Sequence, residues 1–328
     1  MSIAPAALVL SMVMAPGETP AGDGEPPASI PAPSADVWLV STRGLPGGAC
    51  PQDARPDYWH LLSGAEWVSA DQQAFLAADR GSVPTVFFVH GNWSDACDAV
   101  HEGLEFDEHL EGLAPGVKFR MVVWSWPADR VMRRRRPDLQ IKDAVSQREA
   151  LCLARMLDKI HPDVPVSLVG YSYGSQMIAG AIKLLAGECY AGQTLQRHGP
   201  PRRAPLRAVL VAGAMESDAL ASSDPAHQPL GLVDRILVTH NACDPRLKLY
   251  PFLYGRRGPE ALGFVGPTCL DPDDPNSRKV EVIDVTQAVG RHHEWEDYRD
   301  AGPLRARLAW YTFLEPDRAA DPNGAAHQ

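Results

Sequence analysis

Short apolar runs recur along the chain, separated by stretches with helical spacing. Val37–Ser41, "TVFFVHG" (85–91), "FRMVVWSW" (119–126), "VSLVG" (166–170), "LRAVLVAG" (206–213), "DRILVTH" (234–240) and "VEVIDV" (280–285) are short and rich in β-branched and aromatic residues. Such runs read as buried strands. A further strand is expected near Tyr58–Val68. Ser69 with Gln72 fits a capping box opening a helix through Ala78. Helical stretches follow from about Asp95 to Leu113, from Ser175 to Leu185 and from Pro303 to Leu314. Pro137 suits the first turn of another helix, in which Ile141, Val145, Leu153, Met156, Leu157 and Ile160 recur at helical spacing down to His161. Strands alternating with helices predict a mostly parallel central sheet with helices on both faces.

The ends differ from this body. Residues 1–35 hold a short apolar run, Ala6–Ala15, and then "PGETPAGDGEPPASIPAPSA", a Pro/Gly/Ala/Ser-rich stretch with almost no apolar periodicity. They read as a possible signal segment plus a linker, residues 36–315 as one domain, and residues 316–328 as a flexible tail. The apolar run fits the core of a secretory signal but has no Lys or Arg before it, so export and a cytoplasmic location both stay open. No stretch is long enough to span a bilayer.

Composition narrows the partners. The 328 residues carry a formal net charge of −10, which excludes a nucleic-acid binder at the level of the whole chain. Six cysteines are scattered without zinc-type spacing, so no metal is implied. "HEGLEFDEH" (101–109) lacks the HExxH spacing of a zinc helix and reads as an exposed acidic face.

The chemistry centres on "PVSLVGYSYGSQM" (165–177). A buried strand runs into Gly170-Tyr171-Ser172-Tyr173-Gly174 and then into a helix. A serine bracketed by glycines between strand and helix marks a turn too tight for larger residues, the context of a nucleophile elbow. From about Val37 to Leu314 the chain resembles the α/β-hydrolase superfamily of serine esterases and lipases, with four matches in that family's order. "HGNW" (90–93) is similar to its oxyanion loop, Ser172 to its nucleophile, Asp244 in "ILVTHNACDPRL" to its acid, and the pair in "VGRHHEW" to its histidine. The resemblance implies an α/β-hydrolase fold with little or no cap domain and no cofactor or metal. It implies Ser172 as nucleophile, His293 as base with His292 as the alternative, and Asp244 as acid with Glu216 and Asp218 as alternatives. The oxyanion would be held by the backbone N–H groups of Tyr173 and Asn92, with Trp93 as the alternative to Asn92, and His90 would hold the loop. Asp284, inside a strand, fits the acid role less well.

The implied activity is hydrolysis of a carboxylic ester or thioester of a small-molecule or lipid-like acyl substrate through an acyl-enzyme. An acyltransferase on the same triad and an inactive hydrolase-fold binding protein are the alternatives. Arg130 and Arg133–Arg136 form a basic run after a strand, read either as a solvated loop or as an attractor for an anionic substrate or surface. Tyr171, Tyr173, Trp93, Trp124 and Trp126 either line an acyl pocket or pack in the core. The inserts 186–205 and 247–278 could shape an entrance, the second stapled by a Cys243–Cys269 bridge.

Overall fold

The computed structural model describes residues 36–45, 50–51, 54–62, 66–78, 83–222, 227–255 and 258–315. The expected signal segment, linker and tail lie outside them. Nine strands form one sheet in the order β3-β2-β1-β5-β4-β6-β7-β8-β9. They are β1 (Val37–Ser41), β2 (Asp57–Leu62), β3 (Glu66–Ala70), β4 (Thr85–Val89), β5 (Arg120–Ser125), β6 (Val166–Tyr171), β7 (Leu206–Val211), β8 (Arg235–His240) and β9 (Val280–Asp284). The antiparallel pairings, β1 with β2 and β2 with β3, are confined to one edge. From β1 across to β9 every pairing is parallel.

The strand expected over Tyr58–Val68 is two. Leu62 pairs with Glu66 and Tyr58 with Ala70, so the run folds back on itself. Its apolar positions did not show the reversal, because both arms are only partly buried and neither carries a continuous apolar run. The following helix, α1 (Gln72–Ala77), starts two residues later than a Ser69 cap requires. Asp71 is its N-cap, accepting from the Ala74 N–H.

The longer helices are α2 (Ala96–Leu113), α3 (Arg135–Lys159), α4 (Tyr173–Leu185) and α5 (Gly302–Tyr311). Asp95 caps α2 through a reciprocal bond with Asp98. The path β4-α2-β5 steps one way along the sheet, and β5-α3-β6-α4-β7 steps the other. Right-handed crossovers therefore place α2 on one face and α3 and α4 on the other. The central strands are consequently buried on both sides: all of β4, β5, β6 and β7. Phe87, Phe88, Met121, Trp124 and Leu168 lie fully inside.

The reversal occurs at β4, which lies between β5 and β6. Helices leave to opposite faces there, so a crevice opens beyond the carboxyl ends of β4 and β6. A cleft of about 1000 Å³, lined by Arg155, Lys159, His161, His198 and Arg203 among others, lies at the far end of α3, near the start of β6. It shares no residue with that crevice.

A disulfide joins Cys50 to Cys152, with Cα atoms 5.4 Å apart. It ties the segment after β1 to α3. The expected Cys243–Cys269 bridge is absent, and both residues are free thiols.

Candidate active site

The β6-to-α4 turn is built by what its glycines lack. Ser172 adopts φ 54° and ψ −114°, a left-handed conformation that side chains rarely occupy. Such strain costs about 1–3 kcal/mol and persists only where neighbours hold it. The Ser172 N–H bonds the Val211 carbonyl at 2.9 Å, and its own carbonyl accepts from Ser175 and Ala214. A Cβ on Gly170 would stand 2.7 Å from the Gly174 backbone, and one on Gly174 would stand 2.0 Å from the Val89 carbonyl oxygen. The two glycines let α4 pass against β6 and β4 at distances no other residue allows.

Two loops from the carboxyl ends of β8 and β9, towards one edge of the sheet, meet this turn. After β8, Asp244 is fully buried and N-caps a short helical turn, Pro245–Lys248. One of its oxygens accepts from the Arg246 and Leu247 N–H groups. The other accepts from the Tyr298 hydroxyl at 2.7 Å and lies 2.6 Å from His293 Nδ1. Asn241 Nδ2 donates to the Tyr298 hydroxyl oxygen. Burial pushes the Asp244 carboxyl up, but the hydrogen bond and charge of His293, then the Tyr298 hydroxyl and the Leu247 N–H, outweigh it. The carboxyl is held below its usual range and ionised at neutral pH.

After β9, His293 reaches inward and is 6% exposed. Its Nε2 stands 3.3 Å from Ser172 Oγ. With Nδ1 facing an ionised carboxylate, the ring proton sits on Nδ1 and Nε2 is free to accept. The Tyr171 hydroxyl donates to the His293 carbonyl oxygen and holds this loop from below. His292 points away, exposed, towards Asp297 at 3.4 Å. Among the described residues neither Glu216 nor Asp218 bonds either histidine. Ser217, between them, pairs with the Glu260 carbonyl. Burial raises the Glu216 carboxyl, with further push from the charges of Asp218 and Asp143. Asp284 caps the next turn through the Thr286 N–H.

The loop after β4 supplies the remaining wall. Gly91 lies so close that a Cβ there would be 2.7 Å from the Tyr171 ring and 3.4 Å from Ser172 Cβ. The Trp93 N–H is spent on the Ala128 carbonyl at 3.0 Å, which removes it as a free donor. The N–H groups of Asn92 and Tyr173 make no hydrogen bond among the described residues. Among the described residues the Asn92 side-chain amide is also buried without a partner.

His90 is fully buried and its pKa is driven well below the usual value, by burial first and then by the Arg43 charge. Neutral, it donates through Nδ1 to the Gly91 carbonyl and accepts at Nε2 from the Trp126 N–H. Arg43, at the end of β1, was not singled out in the sequence. Its guanidinium donates to Ser125 Oγ, Asp129, and the Ser94 and Asp95 carbonyls at 2.6–3.0 Å. It thereby fixes the loop's exit. No sequence signal marks it beyond an arginine just after a strand.

Of the aromatic residues, Trp124 and Trp126 are fully buried in the core, and Tyr171 and Tyr173 are buried as well. Trp93 is half-buried, its indole N–H on Asp138. Among the described residues no group of His, Cys, Asp and Glu is arranged to hold a metal, and no helix is long and apolar enough to cross a membrane.

No protein-family model matches the chain. No curated protein matches it either. Solved structures with a similar course of the chain include LpqC, a poly(3-hydroxybutyrate) depolymerase from Bordetella parapertussis. It is 14% identical, covers 81% of this chain and 88% of its own, and has a TM-score of 0.39. Esterase B from Lactobacillus rhamnosis is 13% identical, covers 86% of this chain and 87% of its own, and has a TM-score of 0.37. An acetylxylan esterase is 11% identical, covers 71% and 97%, and has a TM-score of 0.33. The sheet itself carries the assignment: its order reverses at β4, and a strained serine turn sits at the reversal. The 186–205 segment and the described residues of 247–278 form loops and short helical turns rather than a cap domain, and the chain has the α/β-hydrolase fold.

Proposed function

We propose that the protein is a serine hydrolase that cleaves a carboxylic ester or thioester through an acyl-enzyme. The observation that carries this reading is the position of the His293 ring, 3.3 Å from Ser172 Oγ and 2.6 Å from Asp244. A serine hydroxyl is a weak nucleophile at neutral pH and needs an adjacent base that is itself held by a third group.

His293 Nε2 takes the Ser172 proton as Oγ attacks the acyl carbonyl carbon. Asp244, ionised and fixed by Tyr298, balances the imidazolium that forms. The carbonyl oxygen becomes an oxyanion facing the open N–H groups of Tyr173 and Asn92. One such donor is typically worth about 3–4 kcal/mol in the transition state. His293 then returns the proton to the departing alcohol or thiol, leaving the acyl group on Ser172. Water attacks with the same base, and collapse of the second intermediate frees the acid and restores Ser172.

Purified protein is assayed against p-nitrophenyl esters of increasing acyl length and against an acyl thioester. Turnover is expected, with about a 10⁴-fold or larger fall in kcat for Ser172→Ala and for His293→Ala. Equal rates for wild type and Ser172→Ala would remove the proposal.

A further inference from the structure

The surface beside Ser172 is unlike the rest of the molecule. Of the ten large apolar residues that are exposed among the described residues, six fall on two adjacent segments: Val131, Met132 and Ile141, and Leu249, Phe252 and Tyr254. Leu249 is 59%, Val131 57% and Phe252 53% exposed. Gln140 Nε2 bonds the Leu253 carbonyl at 2.6 Å, so the segments lie side by side.

Both segments border the reaction centre. The first leads into α3, where the Leu139 carbonyl meets the Tyr173 hydroxyl. Arg130 and Arg135 from this segment stand 5.8 and 5.4 Å over the Trp93 ring, beside Asn92. The second follows Asp244 directly through the Pro245–Lys248 turn.

The same rim carries concentrated positive charge. Arg130, Arg133, Arg134, Arg135 and Arg136 are all exposed. Arg130 donates only to the Met132 and Arg133 carbonyls, and none of the five has an ion-pair partner among the described residues. The nearby acids are occupied: Asp129 by Arg43, Asp138 by the Val131, Met132 and Trp93 N–H groups, and Glu294 by Arg246. Lys248 adds an exposed amine on the second segment. In a chain of net charge −10 this is a local reversal of sign.

We infer that this rim docks the molecule on an anionic lipid surface, with Val131, Met132, Leu249 and Phe252 entering the headgroup boundary and the arginines meeting lipid phosphates. Exposed apolar side chains rimmed by arginine match such a surface in both hydrophobicity and charge. Docking would bring the Ser172 crevice to the lipid boundary. The inference adds a partner to the proposed hydrolase and rests on the rim itself, whatever reaction Ser172 performs.

The test is co-sedimentation of the full chain carrying Ser172→Ala with vesicles, which needs no turnover. The vesicles are phosphatidylcholine alone or phosphatidylcholine mixed with phosphatidylglycerol. Binding is expected on the mixed vesicles only. It should vanish at about 1 M salt, where charges are screened within about 3 Å. Arg133→Gln/Arg134→Gln/Arg136→Gln should weaken it by about a hundredfold, since each surface arginine near an anionic leaflet is worth about a factor of five. Leu249→Ser/Phe252→Ser should weaken it comparably, with a thermal melt checking that each variant is folded. The salt dependence of the unmodified rim stands as a readout if a variant does not fold. No binding to mixed vesicles, equal binding to neutral ones, or binding that survives both variants would overturn the inference. So would a dimer in gel filtration that Leu249→Ser/Phe252→Ser dissociates while vesicle binding is unchanged. Vesicle binding without ester turnover would count against the hydrolase reading and leave the docking surface standing.

Discussion

At the scale of single residues, the proposed chemistry rests on His293 and its supports. Two adjacent histidines follow β9 and either one suits the loop. Sequence spacing left the choice open because neighbouring residues point in different directions once the loop closes. Tyr171 fixes the His293 carbonyl from beneath, and His292 is left outside against Asp297. Tyr298 and Arg43 were harder to read. Tyr298 is a helix residue whose hydroxyl matters only because it reaches Asp244 at 2.7 Å. Hydrogen bonds to charged groups are worth about 1.5–3 kcal/mol. Tyr298→Phe is therefore expected to lower kcat by about tenfold, against about 10⁴-fold for Asp244→Asn, which would favour the wrong imidazole tautomer. Steady-state kinetics on one ester distinguishes the two. Arg43 holds a serine hydroxyl, a carboxylate and two loop carbonyls at once. A lysine offers a single point of charge in place of that fork. Arg43→Lys is expected to reduce kcat by about tenfold or more with KM little changed, the signature of a loop that binds the transition state less well. A rise in KM with unchanged kcat would place Arg43 in substrate binding instead.

At the scale of elements, the strand–turn–helix unit around Ser172 was legible because a buried apolar run, two glycines and a helix follow one another without interruption. The glycine requirement is steric, as the 2.0 Å approach of a Gly174 Cβ to the Val89 carbonyl demonstrates. Gly174→Ala should cost about 3 kcal/mol or more, the range of overpacking against backbone that cannot move aside. Gly112 supplies the contrast. It lies exposed near the end of α2 with nothing within 4 Å of a Cβ, so Gly112→Ala should stabilise by about 0.5–1 kcal/mol. Urea unfolding of both variants reads the difference. The β2–β3 hairpin was illegible for the opposite reason. Its arms are only partly buried, and no continuous burial marks where one strand ends. The shift of the α1 cap from Ser69 to Asp71 follows from the same edge, because Ser69 is still paired with Trp59 in the ladder.

At the scale of the molecule, the parallel sheet and its two covered faces followed from alternating strands and helices, whereas strand order did not. No periodicity reveals that β4 lies between β5 and β6, yet that reversal makes the crevice. Buried acids were equally hidden. Glu149 in α3 is fully buried beside Thr42, and among the described residues its carboxyl oxygens make no well-formed hydrogen bond. Burial pushes its pKa from the ordinary 4.5 to about 8. Glu102, behind the β4 loop, is pushed to about 7 by burial against the smaller opposing effect of Ser94. The folded protein thus keeps protons that the unfolded chain has released. The contribution of these two groups to stability is full below pH 4.5 and is lost as pH rises towards about 7 for Glu102 and about 8 for Glu149, by about 1.4 kcal/mol per pH unit for each group while it stays protonated. Glu149→Gln should melt at a higher temperature than wild type at pH 8 and alongside it near pH 4.5. The convergence of three distant segments on one hydroxyl is tested most directly by covalent capture. Wild type, Ser172→Ala and His293→Ala are incubated with a fluorophosphonate, and the adduct is mapped by peptide mass spectrometry. The expected result is one adduct per chain, on Ser172, absent in Ser172→Ala and slowed by orders of magnitude in His293→Ala. Folded wild type that forms no adduct, or labels at the same rate without His293, would contradict it.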